Sequence, residues 1–186
     1  RNQSILFNSK AQQIYTKRYL TPFGEYLPLR NIAETVSPYA KDITDFAAGQ
    51  EDTKFKISNH TFQTLICYEL INDAFRDSLT SDFLVVQTNN ATFGDTSQLE
   101  QELNIARVRS METGRNVAYV STTGVTSFIS NNGKILQQIP KFTPNSLIGQ
   151  IDTVSETTFT QDYGKYLEAI FLVPLLLLSV LRRVKK

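Results

Sequence analysis

The segment LICYEL, residues 65–70, contains Cys67, which is the only cysteine in this chain of 186 residues. A free cysteine is most often a small buried hydrophobe, so a packing role is one interpretation. The other interpretation is a nucleophile, which needs a neighbouring base or cation because a thiol with a pKa of about 8.5 is mostly protonated at neutral pH. The surrounding residue types and their spacing decide what that neighbour can be.

The candidate neighbours are a histidine, a lysine and a glutamate. His60 is the only histidine, and a separation of seven residues from Cys67 would direct the two side chains to opposite faces of a strand. We therefore interpret His60 as a surface residue. Lys17 ends a predicted strand, and Glu25 lies in a loop stiffened by prolines. An ammonium near Cys67 would favour the thiolate and could hold an oxyanion, but on composition alone solvated surface groups are the preferred interpretation of Lys17 and Glu25.

The elements that must position these residues follow an α/β pattern. Two short runs around Asn8-Ser9-Lys10 predict a hairpin, and the apolar run FLVVQT predicts a strand buried on both faces. The predicted strands cover residues 4–7, 12–17, 61–68, 83–88, 116–122, 125–130, 134–140 and 146–152, and the predicted helices cover residues 72–79 and 96–113. Buried strands beneath helices would bring strand-end residues together.

The composition excludes several classes of function. Net charge is +1, but the last five residues hold four of the 19 basic groups, so residues 1–181 carry 15 positive and 18 negative groups, a balance of −3. No basic stripe with interleaved aromatic residues is present, so we expect no nucleic acid partner. A single cysteine excludes a disulfide scaffold and a multi-cysteine metal site, and we expect neither a metal nor a cofactor.

The C-terminal region predicts a transmembrane helix over residues 163–184. Its uncharged stretch from Ala169 is only 13 residues long, yet a helix of the full range would reach about 33 Å at about 1.5 Å per residue. Basic residues follow at 182–186, so the positive-inside rule places the C-terminus in the cytoplasm and the preceding domain outside. A buried core helix and an interfacial anchor are the alternatives.

Four segments resemble the nitrilase superfamily in their order along the chain, and within it most closely the apolipoprotein N-acyltransferase family of bacterial membrane enzymes. They are KRYLTPFGEYLP (17–28), ICYE (66–69), TNNATFGDT (88–96) and ARVRSMETGRNVAYVSTTGVTSFI (106–129). The resemblance implies a nitrilase-like α-β-β-α sandwich. Residues 1–162 would form the C-terminal part of its catalytic domain, followed by the transmembrane helix and a cytoplasmic basic end at 185–186.

The resemblance also implies an active site. The family's Glu-Lys-Cys triad places its lysine on Lys17 and its cysteine on Cys67, with Glu25, Tyr68 and Glu69 at supporting positions. The backbone N–H of Tyr68 would donate to an oxyanion, and Glu69 would orient Lys17 or the loop.

A substrate loop follows from the resemblance of NNATFG, with Asn89, Asn90 and Phe93 as its residues. Two positions depart from the family's pattern: Thr92 stands where the family has a tryptophan, and Glu102 stands where it often has a histidine. Both departures bear on how a lipid is held.

The function implied is N-acyl transfer. Cys67 would take an acyl chain from a phospholipid as a thioester and pass it to the N-terminal amine of a diacylglyceryl-cysteine apolipoprotein, at the outer face of the bacterial inner membrane. The family's general-base glutamate lies upstream of the Lys17 hairpin, so we expect this chain to be the C-terminal portion of a longer polypeptide and inactive alone. The alternatives are a nitrilase-type amidase acting on small amides and a membrane-tethered inactive module with the same fold.

Overall fold

The computed structural model describes residues 1–7, 12–36 and 44–184. The chain begins with β1 (Gln3–Phe7) and β2 (Gln12–Thr16), which pair antiparallel as a two-stranded sheet. This confirms the predicted pairing, whereas the predicted turn at residues 8–10 lies outside the described residues. Because two strands alone are marginally stable, this hairpin depends on contacts with the rest of the protein.

A mixed six-stranded sheet forms the centre of the fold. Its strands lie side by side in chain order: β3 (Lys54–Ile57), β4 (His60–Ile66), β5 (Phe83–Thr88), β6 (Val117–Ser121), β7 (Thr126–Ile129) and β8 (Ile135–Ile139). The three central strands, β4, β5 and β6, run parallel, and the outer strands pair antiparallel. Alternate residues of β5 are buried (Leu84, Val86 and Thr88), whereas the residues between them are half-buried or exposed, so the prediction of a strand buried on both faces is wrong.

Four α-helices accompany the sheet in the described part of the chain: α1 (Arg30–Val36), α2 (Ala74–Ser78), α3 (Gln98–Thr113) and α4 (Phe159–Val184). The apolar face of α3, with Leu99, Leu103 and Ala106, is buried as its spacing indicates. The helix ends at Gly114, whose left-handed φ of 62° suits a glycine after the last turn. The α/β prediction is therefore confirmed.

Several element predictions differ from the structure. The strand predicted over 61–68 ends at Ile66, where the chain turns into a short 3₁₀ helix, Cys67–Ile71. Residues 146–152 form no strand, and the carbonyl of Asp152 instead accepts a hydrogen bond from the Asn116 amide at 2.7 Å. Neither α1 nor β3 was predicted from the sequence, because both elements are short.

The prediction of a transmembrane helix over residues 163–184 is wrong. Those residues do belong to α4, but none of the helices in residues 1–7, 12–36 and 44–184 is both long and apolar enough to cross a bilayer. The uncharged stretch from Ala169 has 13 residues, or about 20 Å of helix, against the roughly 30 Å that a bilayer core requires. The predicted basic end at 185–186 lies outside the described residues.

The first turns of α4 pack on the protein body. Thr158 caps the helix by accepting a hydrogen bond from the N–H of Gln161 at 3.1 Å, and the Gln161 amide donates to the carbonyl of Leu79 at 2.7 Å. A Cβ at Gly164 would lie 3.1 Å from the guanidinium carbon of the buried Arg76, so the missing side chain makes room for this arginine.

Candidate active site

Cys67 occupies a strained position at the carboxyl end of β4. Its φ of 52° is left-handed, a region that non-glycine residues rarely adopt because Cβ approaches the following carbonyl. The strand ends at Ile66 and the 3₁₀ helix begins at Cys67, so the backbone changes from strand to helix at the residue that carries the thiol. Left-handed residues persist where the surroundings hold them, and they cluster at functional sites.

The half-buried thiol opens into a cavity of about 710 Å³ at the carboxyl ends of the parallel strands. Of the predicted site residues, Glu25, Cys67, Asn89 and Phe93 all line this cavity. The edge where parallel strands end is the usual place for ligand sites in α/β sheets. The structure therefore brings together four residues that are up to 68 positions apart in the chain.

Lys17 is connected to this cavity by its ion pair with Glu25, which lines it. The Lys17 Nζ lies 2.6 Å from Glu25 Oε2 and 3.3 Å from Thr21 Oγ1, and the lysine side chain is only 1% exposed. Burial opposes ionisation of Glu25, but the hydrogen bonds from Lys17, the Thr21 N–H and the Asn2 amide outweigh it and lower the pKa of this carboxyl. The pair is thus a charged, largely dehydrated ion pair at the wall of the cavity.

Glu69 lies behind the cavity and joins the segments that carry Lys17 and Cys67. It is fully buried, and its Oε1 accepts hydrogen bonds from the Arg18 N–H at 2.7 Å and the Tyr19 N–H at 3.1 Å. The other oxygen accepts from the N–H of Ile66 at 2.8 Å. Because these amides directly follow Lys17 and directly precede Cys67, Glu69 fixes the backbone beside both residues.

Tyr15 completes the set of donors around Glu69, with its hydroxyl 2.6 Å from Oε1. Burial, together with the charge and the hydrogen bond of Glu69, raises the pKa of Tyr15 well above its usual range. The phenol is therefore a permanent donor. Tyr15 lies two positions before Lys17 and belongs to the buried cluster, with Phe55 and Ile66, against which Cys67 packs.

The remaining predicted residues are not all at the cavity. The side chain of Tyr68 lines a separate cavity of about 430 Å³ with Arg18 and Tyr19. Asn90 is fully buried beneath the loop, where its amide donates to Glu102 at 2.7 Å. Thr92, at one of the positions that depart from the family pattern, does line the Cys67 cavity. His60 is exposed at the first residue of β4, which confirms its interpretation as a surface residue.

Three residues that support this site were not predicted from the sequence: Tyr15, Thr21 and Asn2. The signal for Tyr15 was its position on the same face of the predicted strand as Lys17. Thr21 precedes a proline at a turn, where its N–H donates to Glu25 at 2.9 Å. No sequence pattern pointed to Asn2, whose amide reaches Glu25 at 3.2 Å across 23 residues.

Comparisons with known proteins identify the family of this chain. A family model described as carbon-nitrogen hydrolase matches residues 1–159. The chain is 31% identical over 182 residues to the apolipoprotein N-acyltransferase of Pasteurella multocida, covering 95% of this chain and 35% of the relative. It is 31% identical over 191 residues to that of Haemophilus influenzae, covering 100% and 37%. The chain thus spans about a third of the length of these curated relatives.

Solved structures resemble this chain in fold. An amidase of the nitrilase superfamily from Nesterenkonia superimposes with a TM-score of 0.55 at 15% identity, over 85% of this chain and 56% of the amidase. A CN-hydrolase superfamily protein from Xanthomonas campestris gives a TM-score of 0.51 at 19% identity, over 84% and 56%. At these identities the likeness concerns the nitrilase-like α/β fold alone.

Proposed function

This chain belongs to the carbon-nitrogen hydrolase family, and on that premise we propose that it carries the thiol nucleophile of an N-acyltransferase. Residues 1–162 form the C-terminal part of the catalytic domain. The observation that carries the proposal is the position of Cys67, held in a left-handed conformation at a cavity that is also lined by Glu25, the ion-pair partner of the buried Lys17. Relatives named apolipoprotein N-acyltransferase support acyl transfer as the reaction.

The first half-reaction moves an acyl group to Cys67. The sulfur attacks the acyl carbonyl of a phospholipid, the ester C–O bond breaks, and the lysophospholipid leaves with the proton that the thiol gave up. The resemblance assigns the transfer of this proton to a glutamate upstream of the Lys17 hairpin. The product of this step is a thioester on Cys67.

Three groups support the developing negative charge in this proposal. The Lys17 ammonium stabilises the oxyanion electrostatically, while Glu25 holds the ammonium in place at 2.6 Å. The backbone N–H of Tyr68, which follows the nucleophile directly, is the proposed donor to the oxyanion. Glu69 acts through the backbone, because it anchors the amides next to Lys17 and Cys67.

The second half-reaction transfers the acyl group to an amine. The N-terminal amine of a diacylglyceryl-cysteine apolipoprotein attacks the thioester, an amide forms, and the thiol of Cys67 is restored. Asn89, Asn90 and Phe93 form the loop that meets the substrates, and the cavity wall near Phe93 offers apolar surface for an acyl chain. Because both substrates carry lipid chains, we place the reaction at the outer face of the bacterial cell membrane.

The test is the formation of the thioester. The protein purified at the full length of its reading frame is incubated with phospholipid and no acceptor amine, and its intact mass is then measured. We expect an added acyl group that maps to Cys67 and is released by neutral hydroxylamine. Cys67→Ala should remove the adduct, whereas Ser130→Ala, a hydroxyl lost in the exposed β7–β8 turn, should leave it unchanged.

Two other outcomes would reject acyl transfer. Release of ammonia from small amides without an acyl adduct would support an amidase, the activity that the nitrilase-like fold also permits. Neither an adduct nor ammonia from the full-length protein would support an inactive module with the same fold. Activity of Cys67→Ala equal to that of the unaltered protein would exclude Cys67 as the nucleophile.

A further inference from the structure

Glu102 holds the loop that forms one wall of the Cys67 cavity. The residue lies on the second turn of α3, and both of its carboxylate oxygens accept hydrogen bonds from this loop. The Thr88 hydroxyl donates to Oε1 at 2.8 Å, and the Asn90 amide donates to Oε2 at 2.7 Å. The two donors flank Asn89, which lines the cavity, and they are 5% and 0% exposed.

The opposite side of the same loop is tied to the segment after β6. The Thr122 hydroxyl accepts from the N–H of Asn90 at 3.1 Å and donates to Asn89 Oδ1 at 2.9 Å. The N–H of Thr122 donates to the carbonyl of Thr88 at 3.2 Å. The start of the loop is therefore held on two sides, by Thr122 and by Glu102. The hydrogen bonds to Glu102 are charge-assisted, and Glu102 belongs to a helix.

The orientation of Asn90 depends on Glu102. A carboxylate can only accept hydrogen bonds, so it requires the NH₂ group of Asn90 to face it. The remaining oxygen, Oδ1, is then buried and has no hydrogen-bond partner among residues 1–7, 12–36 and 44–184. An unpaired buried oxygen is costly, and the charge-assisted hydrogen bond from Asn90 to Glu102 helps to offset that cost.

Asn90 is followed by the single 3₁₀ turn Ala91–Phe93, which carries two further cavity residues. Thr92 and Phe93 both line the cavity, and Phe93 is 37% exposed. Because Phe93 donates its N–H to the Asn90 carbonyl at 3.0 Å, a shift of Asn90 moves the aromatic ring. Glu102 thus fixes an apolar wall of the cavity without touching it.

We propose that Glu102 is a positioning residue that sets which acyl chain lengths the Cys67 cavity accepts. This inference rests on the proposed acyl transfer and deepens it. Loss of the carboxylate releases Thr88 and Asn90, the Ala91–Phe93 turn shifts, and the cavity discriminates less between long and short chains. The loss of Glu102 changes how an acyl chain enters the cavity and leaves the reactivity of the Cys67 thiol itself unchanged.

The test uses a readout that needs no acyl transfer. Iodoacetamides carrying N-alkyl chains of increasing length alkylate Cys67 in the full-length protein, and mass spectrometry of the Cys67 peptide gives the rate for each length. Glu102→Gln keeps the size of the side chain and should change the ratio of long-chain to short-chain rates about tenfold, the effect of one charge-assisted hydrogen bond. Acyl-transfer kcat/KM across phospholipids of different chain length should follow the same ratio.

A reciprocal exchange provides the matched comparison. In the double variant E102Q/N90D the amide and the carboxylate exchange places, so the hydrogen bond between them is restored and the chain-length ratio should return to within about twofold of the unaltered protein. Gln101→Glu, at an exposed neighbouring position of α3, should have no effect. An unchanged ratio in E102Q, or a changed ratio that the double variant fails to restore, would overturn the proposal. A changed and restored ratio without any thioester would instead reject acyl transfer and retain the positioning role.

Discussion

Replacement of Glu69 should damage both the stability of the protein and the reactivity of Cys67. Four donors point at this fully buried carboxylate: the Tyr15 hydroxyl and the backbone N–H groups of Arg18, Tyr19 and Ile66. In Glu69→Ala each donor loses its partner in a site that is buried at Tyr15 and Ile66 and part-buried at Arg18 and Tyr19. A buried donor without a partner costs about 1–3 kcal/mol, so even the lower figure gives a loss of about 4 kcal/mol in the free energy of unfolding. That is a large part of the roughly 5–15 kcal/mol that stabilises a domain.

Urea unfolding measures this loss, and the alkylation rate of Cys67 measures its effect on the site. Tyr15→Phe is the matched control, because it removes one donor together with its need for a partner and should cost only about 1 kcal/mol. Glu69→Gln should fall between the two, since the amide keeps one acceptor but turns an NH₂ group towards a donor. A free energy of unfolding for Glu69→Ala within about 1 kcal/mol of the unaltered protein would refute the reasoning.

Two further predictions concern residues that contact Lys17, namely Glu25 and Gly49. The pKa of Glu25 is lowered in the folded protein, so the carboxylate contributes stability at pH values above its ordinary pKa of 4.5, and that contribution is lost as the pH falls through the folded value. Urea midpoints between pH 6 and pH 3 should therefore fall more steeply for the unaltered protein than for Glu25→Gln, and parallel curves would contradict this. Gly49→Ala should destabilise the protein by about 2 kcal/mol or more, because its Cβ would lie 2.2 Å from the carbonyl oxygen of Thr16. Gly24→Ala, whose Cβ would meet no atom closer than 3.5 Å and whose φ is not positive, should change the stability by less than about 1 kcal/mol, and equal losses for the two variants would argue against the clash.

The sequence predicted the elements whose patterns are strong and local. The apolar run of β5 and the periodic apolar face of α3 defined the positions of these two elements closely, because each is a distinct local pattern in the sequence. Residues 146–152 have the composition of a strand but form none, since pairing depends on a neighbouring edge that local sequence does not specify. The apolar stretch of α4 suggested a membrane span by composition, whereas its length of 13 uncharged residues is insufficient.

The site residues that belong to sequence motifs could be predicted. Their hydrogen-bond partners from distant parts of the chain could not. Cys67, Lys17 and Glu25 stand in recognisable segments. Cys67 and Glu25 line the same cavity, and Lys17 forms an ion pair with Glu25. Two of the donors to Glu69, the N–H groups of Arg18 and Tyr19, could not be predicted, because they are backbone groups about 50 residues away and any residue type supplies them. The contacts of Glu102 were missed for the same reason: a side chain on a helix gives no sign of which loop it will meet.

The buried carboxylate of Glu69 has a consequence for motion. It joins the residues after β2 to the last residue of β4, so the hairpin cannot separate from the sheet without exposing a charge and four donors together. Hydrogen exchange should therefore report the hairpin and the end of β4 as one cooperative unit, opening at a shared free energy. A molecule that enters the cavity cannot gain access by lifting the hairpin, because that movement would also displace the backbone of the nucleophile.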